Sequence, residues 1–302
     1  MESETLPGLI LRSQSGFFTV ETARGLVTAR LRGRLKQGRI EVDLAAVGDR
    51  VQVSIAADRS AMIEEVEPRS QSLVRLAPTA RGVYQQVLLA NLDQIILVFA
   101  CANPAPHLRM LDRFLVIAEK QRIPALVIAN KVDIVGEERA REQFHIYPPL
   151  GYEVIFTSAK AGLGVEDLRE RLHGRISGMA GPSGVGKTSL LNAVQPELGL
   201  HVREVSQSTS KGRHTTQVRQ LYPLGGGGYL ADLPGLRALS LWDTEPEELD
   251  GYFREIAPLV HLCQFSDCTH QNEPGCAVRA AMDAGKIDPE RYDSYLRLRF
   301  GE

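Results

Sequence analysis

Residues Gly181 to Thr188 read Gly-Pro-Ser-Gly-Val-Gly-Lys-Thr, a full match to the pattern G-x-x-x-x-G-K-[ST]. Glycines at this spacing let successive backbone N–H groups turn inward around phosphate oxygens, and a following helix adds its positive end. Gly181, Pro182, Ser183, Gly184, Val185 and Gly186 would form the cradle, with Ser189 counted at its far edge. Lys187 is expected to reach the β- and γ-phosphates and the Thr188 hydroxyl to ligate Mg²⁺. The plainer reading is a structural Gly-rich turn, but a chance match arises in only about one chain in a hundred of this length.

Three further motifs each follow an apparent strand. Asn130-Lys131-Val132-Asp133 comes directly after the apolar run Ala125–Ala129. An aspartate carboxylate there can accept two parallel hydrogen bonds from guanine N1–H and N2–H₂, a donor pair that adenine lacks. Lys131 can lay its aliphatic stem over the base. Thr157-Ser158-Ala159-Lys160 offers a backbone N–H at Ala159 that could meet guanine O6. In Asp232-Leu233-Pro234-Gly235 the carboxylate would hold Mg²⁺ through water and the Gly235 amide would sense a γ-phosphate. Taken singly, the first two are weak signals against a polar strand-end loop, and the third reads first as a Pro-Gly turn. Taken together, they line the carboxyl ends of parallel strands, where α/β sheets bind ligands.

A second centre has the pattern Cys263-x₄-Cys268-x-His270-x₅-Cys276. Three thiolates and one imidazole make a closed tetrahedral set, the pattern of structural zinc, one ion per chain. Three reduced core cysteines are the alternative, but Asp267, Gln271, Asn272, Glu273, Pro274 and Gly275 have the composition of a loop. His261 is a spare ligand.

These residues need elements to hold them. Three blocks emerge from the 302 residues. Residues 1–72 carry short alternating segments broken by glycine, among them Phe17–Glu21, Leu26–Leu35, Arg39–Leu44 and Arg50–Ile55, which predicts a five-stranded barrel of the OB type. A Ser-, Arg- and Gln-rich stretch continuing to Gly82 reads as a linker. Residues 73–240 alternate apolar strands (Gln94–Ala100, Ala125–Ala129, Glu153–Phe156) with helices (Leu108–Gln121, Val165–Leu172, Lys187–Val194), predicting a parallel α/β sheet. Residues 241–302 surround the cysteines with helical stretches at Pro246–Ala257, Ala277–Ala284 and Pro289–Leu298. The fold class is therefore multi-domain α/β, with a barrel in front and a helical zinc-binding domain behind.

From Thr22 to Ile40 there are six basic residues and no acid. Arg30, Arg32, Arg34 and Lys36 alternate with Leu31, Gly33 and Leu35, so in a strand they would line one face and meet RNA phosphates. A solvated barrel face is the plainer alternative.

The base-reading motifs precede the phosphate loop and the Asp-x-x-Gly motif comes last, the order of a circularly permuted GTPase. With the barrel and the Cys/His cluster, the whole chain resembles the RsgA (YjeQ) family of GTPases acting in late maturation of the small ribosomal subunit. That resemblance implies binding of GTP and GDP, hydrolysis of GTP, and contact with the small subunit and its rRNA. It also implies roles for a segment matching Gly-x-His-Thr-Thr at Gly212, His214, Thr215 and Thr216. Thr216 would give the second Mg²⁺ hydroxyl, with Thr215 as runner-up. Leu236 stands where many GTPases place a water-orienting Gln, and the family suggests His214 for that role.

Rival classes are a P-loop kinase or ATPase, against which Asp133 speaks, and a non-catalytic RNA-binding zinc protein, against which Lys187, Thr188 and Asp232 speak. The formal net charge of −2 divides into 0 for residues 1–72, +5 for 73–240 and −7 for 241–302. Any RNA contact must therefore be local. The longest strictly apolar run, Ile95–Ala102, is far short of a membrane span. The opening Met-Glu-Ser-Glu has no basic or apolar leader pattern, and clustering of three of the four cysteines fits a reducing compartment, so the chain is expected to be cytoplasmic without membrane contact. A monomer is expected as well.

Overall fold

The computed structural model describes residues 4–36, 42–56, 60–79, 82–199, 220–233 and 244–301. Strands β1 (Glu4–Gln14), β2 (Phe17–Thr22), β3 (Gly25–Leu31), β4 (Arg50–Ile55) and β5 (Ala61–Val66) close a barrel in the order β1-β2-β3-β5-β4. Period-two alternation turns Phe18, Val20, Ala29, Val51, Val53 and Ile63 into its interior.

Two expectations for this region are corrected. β3 stops at Leu31, and Gly33–Lys36 form a 3₁₀ turn instead of prolonging the strand. Gly33 weakens the extended run, and the Leu35 amide bonds back to the Arg32 carbonyl at 3.0 Å. Arg32, Arg34 and Lys36 therefore do not continue a strand face with Arg30. The expected linker is instead an antiparallel hairpin, β6 (Ser72–Thr79) and β7 (Gly82–Ala90). Its polar residues masked an alternation in which Leu73, Val87 and Leu89 are buried. Asp49, fully buried, grips the Arg69 guanidinium with both carboxylate oxygens at 2.8 Å. Arg69 also donates to the Asp43 carbonyl, and the Asp43 carboxylate accepts from Tyr84 and from the Val87 amide.

The chain then runs through β8 (Gln94–Ala100), α1 (Leu108–Lys120), β9 (Ala125–Asn130), α2 (Val132–Val135), α3 (Glu137–Gln143), β10 (Glu153–Thr157), α4 (Val165–Leu172), β11 (Ile176–Ala180), α5 (Lys187–Val194), β12 (Leu221–Pro223), β13 (Tyr229–Asp232), α6 (Ala277–Asp283) and α7 (Pro289–Phe300). It forms two compact units, neither of which coincides with one of the three sequence blocks. One comprises residues 1–96, 165–180 and 187–235; the other comprises 97–164, 181–186 and 236–302.

Within the first unit, β11 pairs in parallel with β13, and β12 lies antiparallel on the outer side of β13. Tyr229 of β13 donates to Glu21 of the barrel at 2.5 Å, and Arg12 of β1 bridges to Gln220 beside β12.

Within the second unit, β9 and β10 are parallel. α1 buries Leu111, Phe114, Leu115 and Ala118, the face its spacing predicts. The segment before the cysteines is two 3₁₀ stretches, Pro246–Tyr252 and Ala257–Leu262, where one helix was expected. Gly251 and Pro258 deny it a continuous i→i+4 ladder. Phe253, Ile256, Val278 and Tyr295 form its core together with Val116 of α1.

A buried ion cluster fastens this C-terminal segment to α1. Arg291, 1% exposed, donates to Asp112 at 2.6 Å and to Glu255 at 2.7 Å, while Tyr147 donates to the same Asp112 oxygen. The Arg254 guanidinium stacks 3.9 Å from the Tyr152 ring and donates to Glu119 of α1. Removing one member of a buried ion cluster leaves uncompensated charge, which costs about 3–5 kcal/mol. Arg291→Met is expected to lower the thermal denaturation midpoint markedly. Adding Asp112→Leu and Glu255→Leu is expected to restore most of it, because an apolar set carries no stranded charge.

Candidate nucleotide and metal sites

The base-reading motifs and the glycine half of the phosphate loop meet in the second unit, on the side chain of Asn130. It ends β9, is 1% exposed, and uses both ends of its amide. Nδ2 donates to the Val185 carbonyl at 2.8 Å, inside the phosphate loop. Oδ1 accepts from the Thr157 hydroxyl at 3.0 Å and the Ala159 amide at 3.3 Å, inside the second base-reading loop. The Ala159 N–H expected to face guanine O6 thus bonds, at the long end of the range, to Asn130. Thr157 opens the second base-reading motif in the sequence with no role of its own; it ends β10, and its hydroxyl is part of the bracket.

Lys131 follows in a left-handed conformation, φ 66°. That turn sends its ammonium to the carbonyls of Gly184, at 2.6 Å, and of Asn103. Burial, partly offset by Asp133, draws its pKa below the usual lysine range. Asp133 is exposed, with Oδ1 accepting from the Ser158 hydroxyl at 2.6 Å. Lys160 is also exposed. A carboxylate oriented by a serine and open to solvent is the arrangement that recognition of paired N–H donors requires.

Two glycines of the phosphate loop are dictated by neighbours. A Cβ on Gly181 would lie 2.1 Å from the Val98 carbonyl oxygen, and one on Gly186, at φ +98°, would lie 2.4 Å from Asn130 Nδ2. No side chain fits either position without moving β8 or the bracket. Ser183 is exposed, Gly184 half-buried, and Pro182 and Val185 are buried.

Lys187, Thr188 and Ser189 open α5 in the first unit, all half-buried. Asp232 ends β13 in the same unit. Burial raises its pKa above the ordinary aspartate value, and the positive charge of Lys187 offsets this in part. Its Oδ1 is buried with no hydrogen-bond partner among the described residues. A buried acceptor left open in this way fits a hydrated Mg²⁺. Arg169 of α4 donates to the carbonyls of Ala193 and Val194, capping the far end of α5. His214, Thr215, Thr216 and Gly235 lie outside the described residues.

The four residues expected to hold zinc lie together. One ligand atom from each of Cys263, Cys268, His270 and Cys276 lies within 4.8 Å of the others. His270 Nδ1 stands 3.6 Å from Cys263 Sγ and 3.4 Å from Cys276 Sγ. These spacings suit one tetrahedral Zn²⁺. His261 is not part of the cluster. His270 occupies a left-handed position at φ 65°, and burial lowers its pKa, which favours the neutral, ligating imidazole. The Glu273 carboxylate gathers the amides of Thr269, Gln271 and Asn272 around the loop. Burial works against the charge, but hydrogen bonds from the Thr269 hydroxyl and from the amides of Thr269, Glu273 and Asn272 outweigh it and hold the pKa down at about 2.

Asp250 was not foreseen. Its Oδ2 sits 3.4 Å from His270 Nε2, the ring nitrogen opposite the ligating one, and 3.7 Å from Arg299. No spacing rule marks an aspartate twenty residues upstream. A carboxylate behind a ligating histidine fixes its tautomer and raises its basicity. Asp250→Asn is expected to weaken zinc binding roughly 10- to 100-fold in chelator competition. Unchanged competition would mean that Asp250 does not serve the metal.

The chain matches the RsgA GTPase family over residues 66–242 and the RsgA N-terminal domain over residues 7–63. The small ribosomal subunit biogenesis GTPase RsgA of Gemmatimonas aurantiaca is 44% identical, with 97% of this chain and 96% of that protein covered. The protein of the same name from Moorella thermoacetica is 41% identical, covering 96% and 95%. Among solved structures, YjeQ from Thermotoga maritima superposes with a TM-score of 0.81 at 37% identity, covering 99% of this chain and 98% of that one. YloQ, described as a circularly permuted GTPase, superposes at 0.75 with 29% identity, covering 99% and 95%. With this agreement along nearly its whole length, the chain belongs to the RsgA GTPase family.

Proposed function

We propose that this protein is a GTPase of small ribosomal subunit biogenesis, hydrolysing GTP to GDP and phosphate as a timing step on the subunit. The observation that carries the reading is the Asn130 bracket, which joins the phosphate loop to both base-reading loops beside an exposed Asp133. Family membership supplies the partner and the reaction.

In this reading Asp133 accepts the guanine N1–H and N2–H₂ protons, and the stem of Lys131 covers the base. Backbone amides of residues 181–186 and the ammonium of Lys187 hold the phosphate oxygens. Mg²⁺, when bound, neutralises charge on the β- and γ-phosphates. Thr188 and Thr216 would be its protein hydroxyl ligands, and Asp232 would hold it through water. The Gly235 amide reports the γ-phosphate. Because Leu236 cannot orient water, His214 positions the attacking molecule. The Cys₃His cluster holds one structural zinc.

The barrel is assigned to rRNA, with Arg30, Arg32, Arg34 and Lys36 as contacts. Arg32 and Arg34 share Glu64, so their charge is partly spent within the barrel. Among the described residues no helix is long and apolar enough to cross a membrane. We assign the protein to the cytoplasm, acting as a monomer, with the division at 1–72, 73–240 and 241–302 marking its functional parts.

The test is GTP turnover by the purified protein with and without small ribosomal subunits. Turnover that rises with subunits supports the reading, and none under either condition overturns it. His214→Ala is expected to lower kcat on the order of 100-fold while leaving GTP affinity intact. Unchanged kcat removes His214 from the reaction. Asp133→Asn is expected to weaken GTP binding about 100-fold, the worth of two hydrogen bonds to a charged group, without improving ATP binding.

A further inference from the structure

β2 and β3 pair with Phe17 opposite Arg30, Thr19 opposite Thr28 and Glu21 opposite Leu26. These side chains share the outward face, because the alternate residues Phe18, Val20 and Ala29 fill the barrel interior. Such a face is ordinarily polar. Here Phe17 is 41% exposed and Leu26 is 64% exposed. The Arg30 guanidinium lies 4.1 Å from the Phe17 ring centroid. Arg32 and Arg34 are ion-paired with Glu64, whereas Arg30 has no carboxylate partner among the described residues.

We propose that Phe17 and Arg30 form a stacking platform for an unpaired nucleobase of RNA. The proposal rests on the assignment of the barrel to rRNA and names the feature it reads. A flat aromatic face accepts any base, and a guanidinium at its edge can stack on the ring system or meet the neighbouring phosphate. An apolar protein segment would cover Phe17 and Leu26 but leave the guanidinium without an anion. RNA supplies both the ring and the charge, and the surrounding segment from Thr22 to Ile40, six basic residues and no acid, favours it. Bases within a duplex are already stacked on each other, so the platform selects single-stranded or bulged positions.

The experiment measures binding of the full-length protein to a short single-stranded RNA of mixed sequence and to the same sequence as a duplex. Phe17→Ala is expected to weaken single-strand binding about fivefold or more, with the salt slope unchanged and duplex binding little affected. Phe17→Trp is expected to retain affinity, and its added indole emission should be quenched by RNA, a signal that a purely structural role would not produce. Arg30→Gln is expected to weaken binding and reduce the salt slope by about one. Single-strand binding unchanged in Phe17→Ala, an equal loss on duplex, or no quenching overturns the platform. If Arg30→Gln matters while Phe17→Ala does not, the platform fails and phosphate contact alone remains. If neither variant, nor joint neutralisation of Arg30, Arg32 and Arg34, alters RNA or subunit binding, the assignment of the barrel to RNA fails with it.

Discussion

One buried primary amide organises the nucleotide site. Asn130 has one donor group and one acceptor group, and the fold spends both: the donor on the Val185 carbonyl, the acceptor on Thr157 and Ala159. An aspartate here could not donate to Val185, and a leucine would leave three buried polar groups unsatisfied. The bracket also explains a loop glycine, since Gly186 must lack a Cβ to let the amide nitrogen through. It makes the permuted order tolerable as well. Loops at 130–133, 157–160 and 181–186 meet through side-chain hydrogen bonds, so their order along the chain is immaterial to the geometry they reach.

The zinc cluster and the Arg291 cluster serve a related purpose in the C-terminal segment. Zinc would close a loop-rich stretch whose own elements are short, and Arg291 fastens that stretch to α1 through Asp112. α1 precedes β9, which carries Asn130 at its end. A displacement of the zinc segment must therefore either break a buried ion cluster or carry α1 with it. The formal charge of −7 over residues 241–302 argues against bulk electrostatic attraction to RNA there.

Much of this was legible in the sequence because the chemistry is local. The phosphate-loop motif, the two base-reading motifs and the Cys/His spacing are each contiguous or nearly so, and strand periodicity set the base-reading motifs at the ends of β9 and β10. What escaped were pairings between distant positions. Asp250 behind His270, Glu64 shared by Arg32 and Arg34, and Thr157 on Asn130 follow from the fold and from no spacing. The hairpin at Ser72–Ala90 was read in part as linker because polar residues alternate with its buried Leu73, Val87 and Leu89. The strand carrying the basic stripe was read four residues too long because a single glycine, Gly33, opens a 3₁₀ turn after Leu31.

One side chain, Asn130, holds the base-reading loops and the phosphate loop in register. Calorimetric titration of GDP and of guanosine into Asn130→Ala, beside the unmodified protein, tests it most directly. Both ligands are expected to bind more weakly, and GDP to lose more than guanosine, because the phosphate loop loses its tie at Val185 along with the base-reading loops. Equal affinities of the two proteins for GDP, or a loss confined to guanosine's contribution, would contradict it.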